Sequence, residues 1–322
     1  MSFFLRTKSL LSTALFLAAA GSALAQAYPD RPVKIIMPYQ AGGPTDAMGR
    51  LYADRLTKEL GQNFIIDNRI GAGGNIGTAV AAKSRPDGYT LVVGNAATHG
   101  MNPSLYSNPG YDPVRDFDPI GMLGKVTIAI AVSPKAGVRS LQELIAKSKV
   151  ARINIALPST TAVLAHGLLG RREGSAMTGV PYKGSPAALT DLLGDHVQAT
   201  IDTVSALQSY NVAGTLIPLA VFSSTSSEFL PGVKTLSELG MSGFDMQGWF
   251  ALFAPKGTPP DIIAKLNAAL KKISSIPDTN KQLMSGGFDP TAVGEPGQLP
   301  EFIRAEREKW SNMIKASNIA PQ

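Results

Sequence analysis

Between residues 33 and 94 the chain alternates short apolar runs with helical stretches, and that alternation leaves few folds open. Residues 33–38 (VKIIMP) are an apolar run ending in Pro38, after which Ala41-Gly42-Gly43-Pro44-Thr45-Asp46 opens a helix. Met48, Leu51, Tyr52, Leu56 and Leu60 recur every three or four positions, which places them on one buried face, and Gly61 stops the helix. A second strand follows at 64–67, a small-residue helix at 75–83 and a third strand at 90–94. Parallel neighbours need a crossover long enough to hold a helix, so this order predicts a parallel sheet covered by helices.

The pattern then resumes with new partners. Apolar runs at 126–132, 153–157, 197–201, 216–222 and 249–255 read as strands. Ser140-Leu141-Gln142-Glu143 is a capping box, and Ser185-Pro186 starts a helix with Gly194 just past its end. Two amphipathic helices close the chain. One spans 260–274 (Ile263, Leu266, Leu270, Ile273) and the other 299–317 (Leu299, Phe302, Ile303, Trp310, Met313, Ile314). The economical arrangement is two α/β lobes, with the terminal helices returning to the first.

Charge has to be counted after the N-terminus is considered. Residues 1–25 read as a secretory signal: Arg6 and Lys8 are the positive region, 10–20 the apolar core, and Ala23-Leu24-Ala25 the cleavage site before Gln26. The apolar stretch is shorter than the roughly 20 residues a membrane span needs. The full chain of 322 residues carries +6; without the leader 28 Lys+Arg face 24 Asp+Glu, a dispersed +4 that offers no nucleic-acid arm. The chain has no Cys and only three His (His99, His166, His196). That excludes a disulfide scaffold, an iron–sulfur cluster and a thiol nucleophile, and it disfavours a metal site. No cofactor is expected. The mature protein is expected in the periplasm, as a monomer.

Two strand-to-helix turns carry the chemistry. In the first, Gln40, Ala41, Gly42 and Gly43 stand where a helix begins, so a carboxylate or phosphate could approach backbone N–H groups at the positive end of the helix dipole. The plain alternative is a tight turn with Thr45 as N-cap and Asp46 complementing the dipole; otherwise Asp46 would bind a ligand ammonium or hydroxyl. In the second turn Ser159, Thr160 and Thr161 could coordinate an anion, although capping needs only one of them. Gly71-Ala72-Gly73-Gly74-Asn75-Ile76-Gly77 has Ile76 where a dinucleotide loop needs its last glycine, so NAD is disfavoured. Tyr182-Lys183-Gly184-Ser185 could suggest a catalytic Tyr–Lys pair, but reads better as a loop leading into a capped helix. His99 has no partner evident in the sequence.

Taken in order, these residues resemble a known family. Tyr28-Pro29-x-Arg31-Pro32, Ala41-Gly42-Gly43-x-x-Asp46, Asn68-Arg69-x-Gly71-Ala72-Gly73-Gly74-Asn75-Ile76-Gly77 and Pro86-Asp87-Gly88-Tyr89-Thr90-Leu91 look like the Bug receptors, the extracytoplasmic solute receptors of tripartite tricarboxylate transporters. Val180-Pro181-Tyr182-Lys183-Gly184-Ser185, Trp249-Phe250-x-Leu252 and Ala254-Pro255-x-Gly257-Thr258-Pro259 extend the match over nearly the whole mature chain. The resemblance implies a type II periplasmic-binding-protein fold: two α/β lobes (26–125 with 251–322, and 126–250) joined by two crossovers around a ligand cleft. It implies no enzymatic activity. The protein would capture a small carboxylated solute by hinge closure and deliver it to a permease of one large and one small membrane subunit. Ligand contacts carried over fall on Gln40, Ala41, Gly42, Gly43 and Asp46, on Ala97, Thr98 and His99, on Ser159, Thr160 and Thr161, and on Asp202 and Thr203. The chain departs from the family pattern at 157–162 and at 170–179, which is charged where an apolar helix and strand are usual. A periplasmic sensor and an exported α/β hydrolase are the rival readings; the hydrolase lacks any nucleophile–base motif.

Overall fold

The computed structural model describes residues 28–317, and the expected leader lies outside the described residues. Among them no helix is long and apolar enough to cross a membrane. In chain order the strands are β1 (Val33–Met37), β2 (Phe64–Asn68), β3 (Thr90–Asn95), β4 (Phe117–Val126), β5 (Ile128–Val132), β6 (Asn154–Leu157), β7 (Thr178–Pro181), β8 (Ala199–Thr203), β9 (Ile217–Val221) and β10 (Gly248–Pro255). The helices are α1 (Pro44–Leu60), α2 (Asn75–Ala82), α3 (Asn102–Leu105), α4 (Leu141–Ser148), α5 (Thr160–Glu173), α6 (Ser185–Leu193), α7 (Val204–Val212), α8 (Pro260–Ser274), α9 (Pro277–Ser285) and α10 (Leu299–Ser317). A wide helical turn, Ala96–Met101, joins β3 to α3.

The strands form two five-stranded sheets in the orders β2-β1-β3-β10-β4 and β7-β6-β8-β5-β9. In each, three strands run parallel, a fourth is antiparallel to them, and a fifth pairs with the fourth. The antiparallel strand is in both cases the one arriving from the other sheet. The chain leaves the first sheet at the end of β4 and enters the second as β5, with Thr127 alone between them; it returns as β10 after 222–247. The apolar run 126–132 is therefore two strand segments in different sheets. The sheet changes fall at Thr127 and before Gly248, not at the expected 125/126 and 250/251 boundaries.

All eight residues of β10 are buried. Trp249, Ala251 and Phe253 face one apolar cluster while Phe250, Leu252 and Ala254 face another, which explains an unbroken apolar run without polar alternation. Beyond it, β4 shows no strand signal in the sequence because Pro119, Gly121 and Gly124 interrupt it. It tolerates them as the edge of its sheet. The 289–293 segment covers that edge: Met122 N–H donates to the Val293 carbonyl, and Lys125 N–H to that of Asp289, both at 2.9 Å.

The terminal helices do not both return to the first sheet alone. While α8 packs on α1 and β4, α10 lies against the wide turn, α3, and α5 of the second sheet. Its Leu299, Ile303, Trp310 and Ile314 join the same buried cluster as Leu164 and Leu168. The expected capping box is half present: Ser140 Oγ accepts the Glu143 N–H at 3.2 Å, but the Glu143 carboxylate takes the Arg139 N–H instead of that of Ser140.

One buried carboxylate ties α10 to β10. Trp249 Nε1 donates to Glu306 Oε2 at 2.7 Å and Trp310 Nε1 to the same oxygen at 2.9 Å, while Lys309 Nζ stands 2.5 Å from Oε1. Both tryptophans of the chain thus share one acceptor. Glu306→Ala strands two buried indole N–H groups, and a loss of about 3 kcal/mol is expected. Urea unfolding followed by tryptophan emission measures it; a loss below about 1 kcal/mol would contradict the role given to Glu306.

Candidate ligand-binding site

In a parallel βα unit the helix starts where its strand ends, so helix N-termini gather along one edge of a sheet. Here the two sheets turn those edges toward each other. Between them lies a cavity of about 90 Å³, enough for several waters or part of a small solute. Its walls include the N-terminal ends of four helices: α1 (Gly43, Pro44, Thr45), α5 (Ser159, Thr161), α6 (Gly184, Ser185, Pro186) and α7 (Thr203). Asn95, Ala96 and Ala97 of the wide turn line it too, and the crossings between the sheets supply Val126, Ile128, Gly248, Trp249 and Phe250.

The four helix ends are not alike. Ser159 Oγ accepts the Ala162 N–H at 3.2 Å and Thr203 Oγ1 accepts that of Ala206 at 3.3 Å, so α5 and α7 are capped by their own side chains. The other two, α1 and α6, start from Gly43 and Gly184, which have no side chain to give, and each carries a proline in its first two positions. Their first free N–H groups therefore keep no side-chain acceptor. These two ends face each other: a methyl placed on Gly184 would sit 3.5 Å from Gln40 Oε1, and one on Gly42 3.8 Å from Pro186 Cγ. The N-cap of α1 is thus Gly43, not Thr45.

Asp46 shapes this turn from behind and does not line the cavity. Its carboxylate accepts the Gly42 N–H at 3.0 Å, Arg50 Nε at 2.7 Å and Asn68 Nδ2 at 3.0 Å. Gly42 sits at φ +80, a left-handed conformation that suits glycine and points its N–H at Asp46. Burial raises the Asp46 pKa, but the hydrogen bonds from Arg50, Gly42 and Asn68 outweigh it and hold the carboxyl below its ordinary value. Ala41 and Gly42 belong to the same supporting turn.

His99 and Thr98 are likewise turned away from the cavity. The imidazole is fully buried, stacked on Phe253 at 4.0 Å between ring centroids, with Phe117 at 5.1 Å. Its Nδ1 lies 2.9 Å from Thr98 Oγ1, and burial pushes its pKa down to about 3. The side chain of Asn95 holds the wide turn, with Oδ1 accepting the N–H groups of Ala97 and Thr98 at 3.0 and 3.1 Å. Thr160 faces a second, outer chamber of about 600 Å³ that shares Tyr39, Pro158, Ser159 and Lys183 with the inner cavity. The Gly71–Gly74 run also lines that outer chamber, and a Cβ on Gly74 would come within 2.8 Å of Thr98 Cγ2.

Of the residues expected at the site, Gln40, Gly43, Ala97, Ser159, Thr161, Asp202 and Thr203 line the inner cavity; Ala41, Gly42, Asp46, Thr98, His99 and Thr160 do not. Sequence reasoning missed Tyr39, Asn95, the crossing residues and above all the Lys183–Pro186 turn. The signal for that turn was present: a glycine just before a proline-opened helix, as at Gly43-Pro44. Lys183 is exposed, forms no ion pair among the described residues, and is the one Lys or Arg lining the cavity. Asp202 is buried beside Ser185. Thr203 N–H donates to its Oδ1 at 2.7 Å, and burial pushes its pKa up to about 6 against the opposing pull of Ser185 and Thr203. The charged 170–179 stretch does not break the second sheet: α5 runs to Glu173, Gly174 ends it, and β7 pairs in parallel with β6.

Comparison with known proteins decides what this cleft belongs to. The pattern described as tripartite tricarboxylate transporter family receptor matches residues 48–319. The chain belongs to that receptor family. It is 36% identical to BugT of Bordetella pertussis over 317 residues, 96% of this chain and 97% of BugT. Its fold is similar to that of Rpa4515 of R. palustris, solved with adipate (TM-score 0.87, 33% identity, 92% of this chain and 100% of the other). It is also similar to MatC of Rhodopseudomonas palustris, solved with malate (TM-score 0.81, 30% identity, 89% and 100%). The fold is that of the periplasmic solute-binding proteins, and the protein is a solute-binding receptor of the tripartite tricarboxylate transporter type, not an enzyme.

The geometry makes Asp46 a test of how the turn is held. Asp46→Ala should cost about 2–3 kcal/mol, because it removes an ionised acceptor from three donors. A purely dipole-complementing carboxylate would cost only about 0.3–1 kcal/mol. Because its folded pKa is lowered, the Asp46 contribution is present above the unfolded pKa near 4 and is lost as pH falls below it. Denaturant unfolding of the two proteins should therefore differ at pH 7 and converge in acid.

Proposed function

We propose that the solute is a small carboxylate whose anionic group is seated between the uncapped ends of α1 and α6, one from each side of the cleft. The observation that carries this reading is the pairing itself: the glycine-capped starts of α1 and α6 line one cavity and approach each other across it, and neither cap supplies a side-chain acceptor for the N–H groups behind it. The adipate bound by Rpa4515 and the malate bound by MatC support it. Lys183 adds a positive charge at the junction of the two chambers. Closure brings 28–126 with 248–317 against 127–247 by bending at the two crossings, where Thr127 is the shorter link.

The loaded receptor then presents its solute to a two-subunit membrane permease, in keeping with the family's transport system. Export with cleavage after Ala25 places it in the periplasm as a monomer. Mass spectrometry of solute released from the purified protein, followed by thermal shift with adipate, malate and related acids, tests the reading. An acid at about 100 times its dissociation constant should stabilise the fold by about 2.7 kcal/mol. If no carboxylic acid is released and none raises the melting temperature, the reading fails.

A further inference from the structure

Asp202 stands on the cavity wall at the end of β8, where its backbone is fixed by antiparallel pairing with Ala129 of β5. It is only 3% exposed. Its Oδ1 accepts the Thr203 N–H; the Ser185 side chain stands beside the carboxylate and pulls its pKa down, yet makes no hydrogen bond of proper geometry to Oδ2, which is buried without a partner. Several other side-chain oxygens around the cavity are engaged: Asn95 Oδ1 by Ala97, Thr98 and Tyr39, Ser159 Oγ by Ala162, and Thr203 Oγ1 by Ala206. Among the described residues left with an unpartnered buried polar atom, Asp202 is the one that lines this cavity.

An ionised carboxylate only accepts hydrogen bonds, and a buried acceptor without a donor is costly. An anionic solute in the same cavity makes matters worse, because like charges in a confined, mostly apolar space repel. Lys183 is exposed and cannot neutralise a buried carboxylate as a close partner would. A plain carboxylic acid gives Asp202 repulsion and nothing else. A hydroxyl or ammonium near the solute's carboxylate supplies the missing donor.

Resting on the carboxylate reading above, we infer that Asp202 is a specificity-determining residue that accepts a hydrogen bond from a donor on the solute, so that the receptor takes hydroxy- or amino-substituted acids in preference to plain ones. Sites built around a buried polar group discriminate strongly against analogues that lack its partner.

Calorimetric titration with matched four- and five-carbon diacids, each in plain, 2-hydroxy and 2-amino form, tests this at pH 8. A hydroxy or amino acid should bind at least tenfold tighter than the plain acid of the same length, and comparison of the two substituted forms shows which donor is read. Asp202→Asn keeps an acceptor for the Thr203 N–H but replaces the free oxygen by a donor. It should erase the preference and tighten binding of the plain acid, because it removes the like charge that opposes it. The inference is overturned if the wild type binds plain acids as tightly as substituted ones, or if Asp202→Asn keeps the preference. The wild-type ranking stands by itself should the variant fold poorly. Failure of the inference alone leaves plain-acid binding intact. Failure to bind any acid overturns the carboxylate reading and this inference with it.

Discussion

Everything at the cleft depends on helix N-termini being brought to face one another. A βα unit leaves the first N–H groups of its helix unbonded at the end of its strand, and two sheets turned edge to edge concentrate several such ends in a small volume. Uncompensated, that is an electrostatic burden on the fold. The chain relieves it at α5 and α7 with Ser159 and Thr203, whose hydroxyls cap their own helices. At α1 and α6 the glycine caps supply no side-chain acceptor, and in the proposed complex the solute's anionic group takes that place.

Side chains near the cavity are largely committed to holding backbone. Asp46 fixes the Gly42 turn together with Arg50 and Asn68, and Asn95 fixes the wide turn after β3. The proposed recognition of an anion therefore rests on main-chain N–H groups, whose positions are set by the sheets and not by flexible side chains. The same economy reaches the hinge. Trp249 leaves the crossing strand to line the cavity, and its indole is anchored through Glu306 to a helix that packs against elements of both sheets.

Much of this was legible in the sequence, and the failures have physical causes. Where a strand is buried on both faces, as in β10, its apolar run shows plainly. Where it sits at an edge, as in β4, Pro119, Gly121 and Gly124 are tolerated and the signal disappears. A crossing between sheets changes direction in space but not composition, so 126–132 reads as one strand although Thr127 divides it. At the cleft, sequence identified the turns but not the direction of their side chains. Asp46 and His99 carry the chemistry a binding site would use, yet both face inward, while the Gly184-Ser185-Pro186 turn looked like plain loop because its contribution is backbone. The family resemblance supplied the fold and the solute-receptor role; it did not distinguish capped helix ends from open ones.

The central claim is that main-chain N–H groups from both halves of the cleft bind one anion. Amide ¹H–¹⁵N spectra of isotopically labelled protein, titrated with a four- to six-carbon dicarboxylic acid and then with the corresponding diamide, test it most directly. The acid should move the amide proton resonances of Thr45 in α1 and Ser185 in α6 downfield together, and the neutral diamide should leave both in place. Shifts confined to one helix, or equal shifts with the diamide, would contradict the account.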